Sequence, residues 1–273
     1  DIVETEVTPR NFGRIAAQNA KQVVVQRIRE AERGMVFEKF SSRENDIVTG
    51  IIQRMENKNV YIDLGKAEAI LTPNEQIPGE IYQYHDRMKT YIVEVKKTSK
   101  GPQIMVSRTH PGLLKRLFEL EVPEIHDGLV EIKSVAREPG MRSKISVYTK
   151  DENIDPVGAC VGHKGMRVQT IVNELRGEKI DIVKYSSEPD QYVANALSPA
   201  KVVSTEVLEE EKICRVIVPD YQLSLAIGKE GQNARLAAKL TGWKIDIKSE
   251  SQAAEEAEQG AQEVGVAYEA DED

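Results

Sequence analysis

Two stretches of this chain repeat one another around a spaced pair of glycines, and no other feature restricts its fold as much. Val161–Ile182 reads VGHKGMRVQTIVNELRGEKIDI and Ile227–Ile247 reads IGKEGQNARLAAKLTGWKIDI. With one gap they agree at eight positions: Gly162/Gly228, Gly165/Gly231, Leu175/Leu240, Gly177/Gly242, Lys179/Lys244, Ile180/Ile245, Asp181/Asp246 and Ile182/Ile247. Unrelated segments of that length share about one or two identities at ordinary residue frequencies, so the unit is duplicated. A lone G-x-x-G says nothing in a chain with 18 glycines, because glycine is ordinary turn punctuation. The shared context is what counts. Each pair follows a short apolar stretch (Val157, Cys160, Val161; Leu223, Leu225, Ile227) and opens a helix-period segment (Arg167–Leu175; Asn233–Leu240). Each helix then stops at Gly and runs into a Lys-Ile-Asp-Ile strand.

That context has a chemistry. Glycines flanking a two-residue tip let the backbone approach a phosphodiester without a Cβ in the way. The helix behind the tip offers unpaired N–H groups and the positive end of its dipole to phosphate oxygens. Basic residues stand nearby: His163, Lys164, Arg167 and, at the strand start, Lys179 in the first unit, then Lys229, Arg235 and Lys239 in the second. A G-x-x-G loop that clamps about four backbone nucleotides is the signature of the KH module, and the aliphatic residues beside it are expected to form a groove for bases. The clamps are Gly162, His163, Lys164, Gly165 and Gly228, Lys229, Glu230, Gly231. Glu230 sets a negative charge where a phosphate should approach, costing about 1 kcal/mol before salt screening, so the first clamp is expected to be the stronger. The competing reading is two tight helix–loop–helix turns with no ligand.

Upstream the hydrophobic period changes twice. Thr8-Pro9 reads as an N-cap with Pro at the first helical position. Phe12, Ile15, Ala16, Ala20, Val23, Val24, Ile28 and Ala31 then form one apolar stripe to Glu32, with Gly34 expected as the stop. Alternation over Asp46–Arg54, Lys58–Leu64, Ala67–Leu71, Arg87–Lys97 and Gln103–Ser107 predicts five short strands. Val60, Ile62 and Leu64 face inward, and Tyr91, Val93 and Val95 share one face. Such a set, with a turn-rich loop at Thr72–Asp86, suits a small closed barrel of the OB type. Tyr61 is its one outward strand aromatic, either an edge-of-core residue or a stacking contact; base stacking is worth about 1–3 kcal/mol per base, so the barrel alone is expected to bind RNA weakly. Pro111 opens a helix to about Glu121, and strands follow at Leu129–Arg137 and Lys144–Thr149.

Charge is distributed unevenly. The net charge is −8, yet Glu250–Asp273 alone holds nine acidic residues and no Lys or Arg, which leaves the rest near neutral. A tail so rich in Ala and Gln and so poor in large apolar groups is expected to be disordered. It reads as a solubilising segment or linker, or else as a connector to a further C-terminal part or an acidic mimic of nucleic acid covering a basic face. Cys160 and Cys214 form no CxxC, so no disulfide framework or zinc finger is expected, and a reducing compartment fits. No apolar run approaches the ~18 residues of a membrane span. The chain opens without Met or a signal sequence, so it is expected to be part of a longer protein.

A five-strand barrel followed directly by two KH units resembles the NusA family of bacterial transcription factors. The segments SRTHPGLLKRLF (107–118), SVAREPG (134–140), DPVG (155–158), ANALSP (194–199) and VPDYQLSLAIGK (218–229) carry the resemblance, which covers about Val7 to Ser249. It implies an α+β multidomain chain with a long N-terminal helix, an S1-type OB barrel and two tandem α-β-β-α-α-β KH domains packed as one RNA-binding surface. The expected divisions are 1–40, 41–108, 109–187, 188–249 and the tail 250–273. It further implies a monomeric, cytoplasmic, non-enzymatic regulator of elongation, pausing, termination and antitermination. Its expected partners are nascent single-stranded RNA, RNA polymerase and other antitermination factors, with a polymerase-docking domain preceding residue 1.

Catalytic patterns are missing from the sequence. There is no GxxxxGK[ST], GxGxxG, HExxH or GxSxG; His85, His110 and His126 read as surface or turn residues; Asp151, Glu152 and Asp155 lack the ligand count for calcium. No cofactor or metal is expected. The alternatives are an accessory region of an RNA-processing or ribosome-associated protein, and a protein-only adaptor working through its acidic tail.

Overall fold

The computed structural model describes residues 11–269, arranged as two compact units. Thr8 and Pro9 lie outside the described residues. The first unit begins with helix α1 (Phe12–Ser41), which passes straight through Gly34. Glycine inside a helix costs about 1 kcal/mol. The turns beyond it bury Phe40 and half-bury Val36 and Phe37 against the barrel core, each full burial being worth about 1.5–3 kcal/mol. Packing wins, and the expected stop at Gly34 is overridden. The apolar stripe upstream is laid out as expected but is exposed, from Phe12 to Ile28.

The barrel is built from β1 (Ile47–Glu56), β2 (Asn59–Asp63), β3 (Glu68–Leu71), β4 (Arg87–Thr98) and β5 (Gly101–Ser107). They close in the order β1-β2-β3-β5-β4, with β3 and β5 parallel and the other pairs antiparallel. Ile52, Ile62, Ala69, Leu71, Ile92 and Ile104 fill the interior. The sequence pattern misplaces Val93. The β4–β5 register steps from Ile92/Val106 to Glu94/Met105, so Val93 is the extra residue of a bulge and turns outward, while Met88, Thr90, Ile92 and Val95 face the core.

The second unit holds residues 76–81 and 108 onward. Its first half contains α2 (Pro111–Glu121), the single turn α3 (Pro123–His126), β6 (Glu131–Glu138), β7 (Arg142–Tyr148), α4 (Pro156–Val161), α5 (Met166–Glu174) and β8 (Lys179–Lys184). Pro111 does start α2, with the His110 side chain accepting from the Gly112 N–H at 2.9 Å. The second half repeats the plan with α6 (Pro189–Ala196), β9 (Ser204–Leu208), β10 (Ile213–Val218), α7 (Leu223–Ile227), α8 (Gln232–Thr241) and β11 (Lys244–Ser249). Each half makes a three-stranded sheet, β6-β7-β8 and β9-β10-β11, whose last strand runs parallel to the middle one. Each is thus α-β-β-α-α-β.

The halves share a core. Ala136 and Val183 of the first pack with Tyr192, Val193, Ala196, Leu236 and Leu240 of the second. Fully buried Lys144 donates to Asp181 at 2.9 Å and to the Ser198 carbonyl at 2.8 Å, across the junction. Burial alone would raise the Asp181 carboxyl, but hydrogen bonds from Arg142 and Lys144 hold it below the usual range. Tyr192 and Ser146 join their hydroxyls at 2.8 Å.

Contrary to the disorder expected from residue 250, the chain continues past Ser249 into the ordered opening turns of helix α9 (Glu250–Glu269). Ser249 and Gln252 form a reciprocal capping box at 3.0 and 3.2 Å. Asp220 accepts from the Ser251 N–H at 3.1 Å, and Lys248 pairs with Glu256. These contacts, with the helix propensity of Ala, Glu and Gln, order its opening turns. No described helix is long and apolar enough to cross a membrane.

Candidate nucleic-acid interface

The two clamps have nearly the same backbone. Gly162 has φ 76°, ψ 174° and Gly228 has φ 79°, ψ 170°; Gly165 and Gly231 lie at φ 75° and 73°. Between them Lys164 (φ 51°) and Glu230 (φ 55°) also take the left-handed region. In each loop the last glycine N–H donates to the first glycine carbonyl at 3.1 Å. The first glycines are required by close approach: a Cβ on Gly162 would lie 2.6 Å from Arg167 Cγ, and one on Gly228 would lie 2.8 Å from the Asn233 backbone nitrogen. The second glycines have open space around them.

Behind each loop a helix of two or more turns begins, and no side chain caps α5 or α8. Their first-turn N–H groups have no partner within the helix, so each loop ends on a positive dipole. At the first tip His163 and Lys164 are exposed; at the second, Lys229 and Glu230 are. Exposed apolar groups flank them, Met166 beside the first and Leu225 and Ile227 beside the second, suited to bases rather than phosphates.

The arginines are less free than their spacing implies. Arg167 donates to Glu124 at 2.9 Å and to the Ala159 carbonyl at 2.6 Å, so its charge is matched and its role is to brace α4 against α5. Arg235 donates to Glu138 at 2.6 Å and to the Glu230 carbonyl at 3.0 Å. Lys239 is exposed in the last turn of α8. Lys179 starts β8, past the far end of α5 from its clamp. It stands in one sheet row with Arg142 and Glu138, strands being about 4.8 Å apart. Tyr61, in the first unit, is half-buried with the Arg54 guanidinium 4.1 Å from its ring centre, so one face is already stacked.

Residue spacing did not reveal Glu124, Glu138, Gln232 or Asn233. Asn233 occupies the repeat position of Arg167 and is buried, donating to the carbonyls of Leu197 at 3.1 Å and Ala226 at 2.9 Å. Both cysteines are buried and unbridged, and burial pushes the Cys160 thiol up to about 12, which makes it an inert core group.

Family models match along the chain: the NusA N-terminal domain over 1–34, the S1 RNA binding domain over 41–107, the NusA-like first KH domain over 108–185 and the NusA-like second KH domain over 189–255. Among curated proteins, the transcription termination/antitermination protein NusA of Halalkalibacterium halodurans is 71% identical over 255 residues, 93% of this chain and 67% of that one. The protein of the same name from Bacillus subtilis is also 71% identical, covering 93% and 69%. That of Mycobacterium bovis is 51% identical over 259 residues, covering 92% and 75%.

Proposed function

The chain belongs to the NusA family, and from that membership we propose that it regulates transcription termination and antitermination, and with them elongation and pausing, by binding nascent single-stranded RNA at its two glycine clamps. One observation carries the reading. The two loops match in backbone to within a few degrees, and each opens onto a helix whose N-terminus no side chain occupies. Phosphates rest on the first-turn amides, Lys164 and Lys229 add charge at the tips, and the aliphatic rims meet the bases. Backbone contacts set position and base contacts set preference. The barrel adds stacking through Tyr61 and Arg54, and the protein acts as a cytoplasmic monomer that works with RNA polymerase and other antitermination factors without catalysing a reaction.

Gly165→Asp tests it. The position has room, with only Val168 at 4.0 Å, and Asp tolerates the left-handed region better than most residues. The fold survives while a negative charge meets the phosphate. Titration against a short unstructured RNA is expected to show at least a tenfold loss of affinity, a cost of about 1.4 kcal/mol or more. Equal affinity for variant and parent rules out the first clamp.

A further inference from the structure

Glu138 ends β6 in the first KH half, yet both of its carboxylate oxygens are taken by the second. Oε1 accepts from Arg235 Nε at 2.6 Å and Oε2 from Gln232 Nε2 at 2.8 Å. Both donors stand at the start of α8, the helix that the second clamp opens. Arg235 also donates through Nη1 to the carbonyl of Glu230, inside the clamp. A single carboxylate thus reaches from one sheet, through one guanidinium, to the backbone of the other half's loop. The Glu138 side chain is only 17% exposed. The hydrogen bond from Arg235 outweighs its partial burial and, with help from Gln232, holds the carboxyl below the usual glutamate range. In the first half Gln169, at the repeat position of Arg235, instead bonds Asn173 on its own helix.

We propose that Glu138 is a positioning residue, which locks the second clamp at a set spacing and orientation from the first so that one RNA strand engages both. The inference rests on the RNA-binding reading above. Two weak sites on one strand gain by effective concentration, and the gain depends on geometry that lets both engage at once. A joint that must be ordered on binding loses part of it. Lys144 and Tyr192 hold the two halves together, but Glu138 is the contact that reaches the clamp loop.

The experiment compares an RNA of about 5 nucleotides, enough for one clamp of about four, with one of about 12, enough for two. Glu138→Ala is expected to weaken the longer RNA about tenfold, leave the shorter within twofold, and leave the melting temperature nearly unchanged. Exchanging the charges, Glu138→Arg with Arg235→Glu, is expected to restore most of the loss on the longer RNA. An unchanged or raised affinity for the longer RNA overturns the lock, the raised case meaning that Glu138 merely neutralises Arg235. Equal losses on both RNAs, or a charge exchange that restores nothing, also overturn it. In each of these cases the parent binds both RNAs and the proposed function stands; a parent that binds neither overturns both.

Discussion

The two clamps share a backbone and differ in almost everything that supports it. At the first, the tip carries His163 and Lys164, and the loop is braced from below by Arg167, whose partner Glu124 lies on α3 of the same half. At the second, the tip mixes Lys229 with Glu230, the brace is the neutral, buried Asn233, and Arg235 ties the loop to Glu138 in the other half. The first is therefore the more electropositive loop and is held from within. The second is the more weakly charged loop and is held by its neighbour. A duplicated unit has kept the part that phosphate chemistry needs, a glycine-framed loop on an open helix end, while its supports have diverged. On the proposed reading, affinity is weighted to the first clamp and registration to the second.

The comparison can be broken most sharply at the first glycines. In Gly228→Ala the new Cβ meets the backbone nitrogen of Asn233 at 2.8 Å, and a backbone cannot move aside cheaply. Strain at such a φ, roughly 1–3 kcal/mol, adds to an overpacking cost of similar size. Gly162→Ala meets Arg167 at Cγ, 2.6 Å, and at Cβ, 2.9 Å, the fixed base of that side chain rather than its mobile end, so a large but somewhat smaller loss is expected, because no backbone atom stands in the way. Urea unfolding of the two variants measures the difference, and equal losses mean that the loops are supported alike.

Next come the braces themselves. Asn233→Ala leaves two buried carbonyls without their donor, a cost of about 2–3 kcal/mol. Arg167→Ala removes a pair whose partners are both about a third exposed, a loss expected near 1 kcal/mol. Thermal melts of both variants test that order; a larger loss for Arg167→Ala reverses the picture of which brace matters more. The smallest effect sharpens the comparison rather than breaking it. Glu230→Lys removes the opposing charge from the second tip and is expected to strengthen RNA binding by roughly fivefold at low salt, or about 1 kcal/mol, with the gain fading as salt rises. Affinity that is the same across the salt series means the second tip does not touch phosphate.

Several particulars were legible in the chain as written. Pro111 placed the start of α2, the glycine pairs placed both clamps, and alternation found all five barrel strands. What escaped was set elsewhere. Gly34 ends no helix because Phe40 has a core to enter. Val93 faces outward because a bulge consumes one residue of register. The opening of α9 was within reach, since Ser249-x-x-Gln252 is a capping-box pattern, but acidic composition outweighed it.

Local sequence was sufficient wherever the physics is local. A glycine at positive φ, a proline at a first helical turn and an apolar stripe need only their immediate neighbours, so the clamps and the barrel strands follow from spacing, while the α-β-β-α-α-β order of both halves came from the family resemblance. Whether a cation is free to meet a phosphate is another matter, because its partner is chosen by folding. Glu124 lies 43 residues from Arg167, and Glu138 lies 97 from Arg235. Coulomb attraction acts through space and falls with distance, so only the folded chain, by bringing such residues within 3 Å, decides which basic groups are left to bind and which are used to build the surface that binds.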